Sequence, residues 1–339
     1  MVSLNASTSR FTRRALIGLA LPATLVLAAC GGQSAATTST STSGSAAASG
    51  ISVVASTNVY GDIAKQIGGD KIQVTSIINR ESQDPHSYEA SAQDRLAVSK
   101  AQLVIANGGG YDTYMDQLTS GGSAPIIHAF DFKEGGGTAH DHSAESSSVA
   151  ASSSADPHAG HDHSGDGNEH VWYDLHTVEA VADGIKDALV KADAANASTY
   201  EANTKTFVDS LAPLTDRTHA LADKNKGKTF AMTEPVPYYL LTETGFTDAT
   251  PAGFSSAIEA GNDVPALVQL EMEKELKAKS FAFLAFNPQT ATPQTDAIKK
   301  VAQDSGVPVL DFLELLPEGK TFQQWMGENI SSIEGVNAK

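Results

Sequence analysis

Hydrophobic and polar residues follow a pattern along this chain that is typical of repeated β-α-β units. Residues 51–78 begin with a β-branched apolar run, continue through a helical stretch that ends at Gly68 and Gly69, and finish in the apolar run IQVTSII. Helix-like and strand-like segments continue to alternate through residues 79–130. This alternation predicts parallel strands that are joined by helical crossovers.

The second half of the chain repeats this alternation after a helical region. Residues 176–228 carry apolar residues at helical spacing, and the run 199–225 is long enough to cross a whole domain. Strand-like and helix-like segments alternate again over residues 229–339. We therefore predict an α/β fold in which two α/β lobes, residues 51–175 and 229–339, have mainly parallel sheets and are linked by a long helix. A ligand is expected in the cleft between the lobes, near strand ends.

The first 50 residues have the pattern of an export signal followed by a tether. Three arginines precede the apolar run ALIGLALPATLVLAA, and Cys30 follows in the small-residue pattern LAAC. We predict that residues 1–29 are a lipoprotein signal peptide, that Cys30 carries the lipid, and that residues 30–50 form a flexible tether. The protein would then be exported and lipid-anchored to the outer face of the cell membrane. The alternatives are a buried unpaired cysteine and an uncleaved anchor.

Net charge and cysteine content narrow the choice of ligand and partner. The 339 residues have a formal net charge of −17, and removal of residues 1–29 would take away three arginines and no acid, leaving −20. Nucleic acid and anionic membranes are poor partners for such a chain, whereas a cation is a plausible ligand. Cys30 is the one cysteine, so disulfides and thiolate-type metal sites are excluded.

A segment rich in histidine and serine, residues 133–168, interrupts the first lobe. Its composition predicts a disordered loop without a fixed structure. We interpret this loop as an auxiliary element that collects metal ions weakly near the cleft, and the alternative is an unselected low-complexity insert. The auxiliary histidines are His140, His142, His158, His161 and His163.

Two further histidines stand in loops where a ligand of an α/β protein would bind. His86 follows a proline in the stretch DPHSYEASAQD, directly after a predicted strand. His170 lies in EHVWYDL, at the entry to a predicted helix. Each histidine taken alone is a weak signal, because an ordinary loop histidine explains it as well.

Several motifs together resemble the solute-binding lipoproteins of bacterial zinc and manganese ABC transporters, the cluster A-I family of periplasmic metal receptors. The similarity extends from residue 51 to the C-terminus, and the motifs are DPHSYEASAQD, ANGGGYDTYMDQL, EHVWYDL, TEPVPYYLLTETGF and TFQQWMGENISSI. The resemblance implies an exported high-affinity receptor that delivers zinc or manganese to an ABC permease and its ATPase. It also implies a monomer that is anchored to the membrane through its lipid and is not an enzyme.

In this family, four loops, two in each lobe, supply one metal ligand each. Carried over onto this chain, the resemblance implies His86 and His170 as the first two ligands and Glu234, in MTEPVPYY, as the third. The fourth is a carboxylate after the last strand. We favour Glu314, because its LELLP context resembles the acid-containing turn of the family, and Asp311 remains the alternative.

The chain departs from the family pattern at three positions that do not remove a ligand. Ala92 and Leu175 each replace a usual proline, and the segment at Asn287 lacks an acid that is often found there.

The set of candidate ligands does not decide between zinc and manganese. Glutamate in place of a third histidine favours manganese, while the histidine-rich loop and the general affinity order favour zinc.

Two other functions are consistent with parts of the sequence. Two histidines and two carboxylates would also suit a zinc-dependent hydrolase, but the chain has no HExxH pattern, nucleophile elbow or phosphate loop. A surface adhesin-type lipoprotein would need no convergent cleft.

Three other residues are not expected to bind the ion: His176 at a helix start, His219 as a structural or solvated histidine, and Glu243 as an exposed acid.

Overall fold

The computed structural model describes residues 50–80, 82–133 and 167–337. The predicted signal peptide, most of the tether and most of the predicted loop lie outside these residues, and so do Cys30 and the five auxiliary histidines His140, His142, His158, His161 and His163.

The first lobe is built on a four-stranded parallel sheet with the order β2-β1-β3-β4. Its strands are β1 (Ile51–Thr57), β2 (Ile72–Ile78), β3 (Leu103–Ala106) and β4 (Ile126–His128). Val53 of β1 lies between Val74 and Leu103 of its two neighbours. Strand β3 is buried along its whole length, as its continuous apolar sequence requires.

The second lobe repeats this arrangement with the order β6-β5-β7-β8, and its pairings are again parallel. Its strands are β5 (Thr229–Met232), β6 (Thr247–Asp248), β7 (Leu284–Phe286) and β8 (Val309–Asp311). Two parallel sheets with helical crossovers confirm the predicted two-lobed α/β fold. In both sheets the first strand of the lobe lies inside, with later strands on either side.

Helices connect the strands and cover the sheets. They are α1 (Asn58–Gly68), α2 (Ala92–Ser99), α3 (Tyr114–Thr119), α4 (Leu175–Ala192), α5 (Ala197–Asn225), α6 (Tyr238–Glu243), α7 (Phe254–Glu259), α8 (Ala266–Ala278), α9 (Pro293–Ser305) and α10 (Phe322–Val336). Capping boxes begin α2, α9 and α10 at Ser91, Thr292 and Thr321. Each such cap stabilises a helix start by about 1 kcal/mol.

Helix α5 is the predicted linking helix. Its 29 residues make a helix about 44 Å long at 1.5 Å per residue. It packs against α1, α4, α6 and α10, and Phe207 and Leu211 belong to a continuous apolar core that includes Ile63 of the first lobe and Phe230 of the second. A helix that shares one core with both lobes limits their independent movement.

Hydrogen bonds also join the lobes close to the strand ends. The Asn58 side chain donates to the carbonyl oxygen of Leu316 at 2.7 Å and accepts from its N–H at 3.0 Å. The Asn168 amide donates to the carbonyl oxygen of Pro235 at 2.8 Å.

Among the described residues, no helix combines the length and the apolar character that crossing a membrane requires.

Candidate metal centre

The predicted ligands lie in loops at the carboxyl ends of the parallel strands. His86 lies in the loop that follows β2, Glu234 follows β5, and Glu314 follows β8. His170 immediately precedes the short 3-10 turn Val171–Tyr173, which leads into α4. Parallel strands bring such loops to one edge of each sheet, and the two edges meet where the lobes touch.

Three of these residues form a compact group of potential ligands. The ligand atoms of His86, His170 and Glu314 all lie within 4.8 Å of one another. His86 Nε2 is 3.5 Å from Glu314 Oε2, and the two imidazole centroids are 6.0 Å apart. The side chains of His170 and Glu314 are fully buried, whereas the side chain of His86 is 20% exposed. This exposure opens one side of the group toward solvent.

Glu234 joins the group through an asparagine. The Asn287 side-chain nitrogen donates to Glu314 Oε1 at 2.7 Å and also to Glu234 Oε2. Thr290 Oγ1 donates to the same Glu234 oxygen. Glu234 is 3% exposed, so both carboxylates are buried and share one amide donor. The structure thus brings together all four residues that the family resemblance implies.

The alternative fourth ligand, Asp311, lies outside this group. It is the last residue of β8, its side chain is 57% exposed, and its carboxylate pairs with Lys299 Nζ at 3.3 Å. Three residues later the chain has turned, and the N–H of Glu314 donates to Gln289 Oε1 at 2.6 Å. This turn places the Glu314 side chain, and not that of Asp311, between the lobes.

Local hydrogen bonds set the position of His86. Asp84 accepts from the N–H of His86 at 2.9 Å and from the hydroxyl of Ser87 at 2.8 Å, which makes a tight Asx turn around the histidine. Tyr88 donates to Asp94 at 2.8 Å and so ties the end of this turn to the first turn of α2. The motif DPHSYEASAQD therefore encodes a rigid support for one imidazole.

Asn168 fixes both the orientation and the tautomer of His170. The side-chain nitrogen of Asn168 donates to the carbonyl oxygen of Pro235. The side-chain oxygen of Asn168 therefore faces His170 and lies 2.8 Å from Nδ1 of that ring. An amide oxygen only accepts, so Nδ1 carries a proton, and in the neutral ring Nε2 then has the lone pair that a metal needs. Tyr239 donates to the carbonyl of Asn168 at 2.6 Å. Asn168, predicted as the end of the disordered loop, is instead a buried part of this group.

Comparison with known proteins agrees with this geometry. The model of the family described as zinc-uptake complex component A, periplasmic (ZnuA), matches residues 53–336. The chain belongs to this family. The match covers both sheets, the linking helix and all four candidate ligands.

Curated relatives of this ZnuA family member include streptococcal lipoproteins. The manganese ABC transporter substrate-binding lipoprotein ScaA of Streptococcus gordonii is 27% identical over 337 residues, which cover 95% of this chain and 97% of ScaA. The metal ABC transporter substrate-binding lipoprotein ScbA of Streptococcus cristatus is 27% identical over 336 residues, which cover 94% of this chain and 97% of ScbA.

Solved structures share the fold of this ZnuA family member. The Mn-bound periplasmic metal binding protein from Candidatus Liberibacter asiaticus aligns with a TM-score of 0.61 and 21% identity, covering 84% of this chain and 98% of that one. A crystal structure of ZnuA aligns with a TM-score of 0.63 and 17% identity, covering 85% and 98%. At these identities the likeness concerns the fold.

The electrostatics of the group depend on its charges being close together and buried. Burial alone would lower the pKa of His86, but the hydrogen bond and charge of Glu314, with the charges of Glu169 and Glu259, outweigh it and raise that pKa to about 10. Burial raises the pKa of Glu314, yet the contact with His86 brings it below its usual value. Burial and the charge of Glu314 raise the pKa of Glu234 to about 7.

Several residues of the centre were missed by sequence reasoning. The segment at Asn287 stands out in the sequence only for lacking an acid, and Tyr111, whose hydroxyl donates to Glu314 at 3.0 Å, lies in the motif ANGGGYDTYMDQL without being marked as part of a site. Glu169 directly precedes His170, so its position was a usable signal. Glu259, whose carboxylate lies 3.8 Å from His170 Nδ1, ends α7 and carries no local sequence signal.

Proposed function

We propose that this chain is an extracytoplasmic receptor that binds one divalent first-row metal ion, zinc or manganese, between its lobes and delivers it to an ABC permease. The buried convergence of His86, His170 and Glu314 at the strand ends, in a chain of the ZnuA family, is the observation that carries this proposal.

The four candidate ligands suit such an ion chemically. Two imidazoles supply neutral nitrogen donors, and Glu234 and Glu314 together supply two negative charges when both are ionised, which balance the charge of a divalent ion. His170 already presents Nε2 through its bond to Asn168, as histidine ligands usually do when a second group holds the other nitrogen. The ion would replace the proton of His86 as the partner of Glu314.

The export and anchoring parts of the proposal rest on the N-terminal sequence and on the relatives. ScaA and ScbA are named lipoproteins of ABC transporters. We extend this to Cys30 as the lipidated residue, and to a membrane permease and a cytoplasmic ATPase as the partners that receive the ion. In this scheme the chain acts as a monomer.

A pair of matched variants tests the site. Glu314→Gln removes the charge of a proposed ligand, whereas Asp311→Asn removes the charge of the acid that lies outside the group. After removal of metal with a chelator, we expect calorimetry with Zn²⁺ and Mn²⁺ to show one tight site in the parent and in Asp311→Asn. Glu314→Gln, His86→Gln and Glu234→Gln should each weaken it at least about tenfold, since even loss of an outer-shell partner costs 10–100-fold.

The same titrations decide between the metals and between the functions. Competition of Zn²⁺ against Mn²⁺ at the tight site identifies the preferred ion. Equal binding by Glu314→Gln and Asp311→Asn would contradict the proposed ligands. Absence of any tight site in the parent would contradict the receptor function itself.

A further inference from the structure

A second group of metal-binding side chains lies apart from the four candidate ligands. His176, His219 and Glu243 place their ligand atoms within 4.8 Å of one another. They come from three helices: His176 from the first turn of α4, His219 from the last two turns of α5, and Glu243 from the last position of α6. None of them belongs to the cleft group, and no motif or spacing in the sequence connects them.

The three side chains are accessible, and two of them, His176 and Glu243, line one groove. His176, His219 and Glu243 have side chains that are 60%, 56% and 42% exposed. The groove has a volume of about 380 Å³, and its walls include Tyr173 and Tyr239. An ion bound there would therefore have room for water molecules in its remaining coordination positions.

The present distances are close to those that a tetrahedral ion needs. Zinc binds imidazole nitrogen and carboxylate oxygen at about 2.0–2.2 Å, which separates neighbouring ligand atoms by about 3.3 Å. His219 Nε2 is 2.7 Å from Glu243 Oε1, so this pair must open slightly. The rings of His176 and His219 are 6.4 Å apart and only 34° from parallel. Exposed side chains make such adjustments by rotation about their own bonds.

We propose that His176, His219 and Glu243 form a second binding site for a divalent metal ion, with zinc favoured by its two imidazoles and single carboxylate. The site requires three protein ligands and water, which is an open arrangement. Exposure of all three ligands makes it weaker than a buried four-ligand site. The proposal does not depend on the function proposed for the cleft.

The position of this site gives it a structural consequence. Helix α4 packs on α1 and α5, while α6 follows β5 in the second lobe and packs on β6. An ion held by His176 and Glu243 would therefore tie α4, which packs on α1 of the first lobe, to a helix of the second lobe, with His219 of the linking helix as the third ligand. Zinc at high concentration would thus restrain movement between the lobes.

The experiment counts zinc ions in the full chain with the five auxiliary histidines changed to glutamine, so that residues 140–163 do not contribute imidazoles. In equilibrium dialysis against Zn²⁺, this background protein should bind two ions of different affinity. His219→Gln and Glu243→Gln should each weaken the second ion at least about tenfold and leave the first unchanged. Glu201→Gln, an exposed acid elsewhere on α5, is the matched control for Glu243→Gln and should keep both ions.

A variant of a cleft ligand distinguishes the second site from the receptor site in the cleft. His86→Gln should weaken one ion and leave the ion that is sensitive to His219→Gln. If His219→Gln and Glu243→Gln leave zinc binding unchanged, the second site does not exist. If the background protein binds a single ion that His86→Gln weakens and His219→Gln does not, the proposal is equally overturned.

Discussion

Replacement of Asn287 by alanine would separate the two buried carboxylates from the donor they share. The Asn287 amide nitrogen donates to Glu234 and to Glu314, and its oxygen accepts from the N–H of Gln289 at 3.0 Å. Asn287 is 3% exposed, so water does not readily replace these bonds. We expect Asn287→Ala to destabilise the metal-free protein strongly, and more strongly at pH 8 than at pH 6.

The magnitude follows from the charge of each acceptor. A hydrogen bond to a charged group contributes about 2 kcal/mol and a neutral one about 1 kcal/mol. At pH 8 Glu234, with a pKa of about 7, is mainly ionised, and Glu314, with a lowered pKa, is ionised as well. The three lost bonds then cost about 5 kcal/mol. At pH 6 Glu234 is mainly protonated, its bond becomes neutral, and the cost falls to about 4 kcal/mol.

Thermal unfolding in the presence of a chelator measures this difference. At roughly 2 °C per kcal/mol for a chain of this size, Asn287→Ala should lower Tm by about 10 °C at pH 8 and about 8 °C at pH 6. Asn225→Ala is the matched control, because Asn225 is also fully buried and its amide donates to the backbone carbonyl of Thr244 at 2.9 Å. Loss of this bond and of the longer one that the Asn225 oxygen accepts from Lys228 Nζ at 3.4 Å should together cost about 1–2 kcal/mol at either pH, because no carboxylate takes part.

Two results would refute this reasoning. If Asn287→Ala costs no more than Asn225→Ala, the shared amide does not hold the carboxylates. If the loss is larger at pH 6 than at pH 8, the sign is wrong, and Glu234 does not gain its charge across this interval.

Three further predictions concern binding, anchoring and movement. Calorimetry in buffers of different ionisation enthalpy should show proton release when the metal binds at pH 7, and affinity should fall from pH 8 to pH 5, because His86 and Glu234 hold protons that the ion must displace. Cys30→Ser should release the protein from the membrane fraction or block its maturation. Solution scattering should change only slightly on metal binding, because α5 and the Asn58 contact with Leu316 restrain the lobes.

The architecture was predictable because its main strands and helices carry local hydrophobic patterns. The fully apolar sequence of β3 and the long helical pattern of α5 are local properties of the chain. The parallel arrangement of the strands follows from the alternation of strands and helices along the sequence. The choice between Asp311 and Glu314 was not local. Asp311 ends a strand with its side chain toward Lys299, and only the turn after it, held by Gln289, brings Glu314 into the cleft.

Contacts between distant parts of the chain could not be predicted from one sequence. Asn287 lies 53 residues from Glu234 and 27 from Glu314, so no spacing rule connects them. Glu259 reaches His170 from the end of a short helix in the other lobe. The family motifs identified residues that occupy the centre, but they said nothing about the groups that hold those residues in place.

The neutral side chain at Asn287 is explained by the charges around it. An acid there would be a third carboxylate between Glu234 and Glu314, and like charges in one buried site resist ionisation together. Burial and the charge of Glu314 together raise the pKa of Glu234, so a further carboxylate would add to this opposition. Asparagine donates to both carboxylates instead, while the protonated His86 supplies positive charge beside Glu314. A divalent ion that enters this centre therefore exchanges with the proton of His86 and supplies positive charge to the surrounding carboxylates.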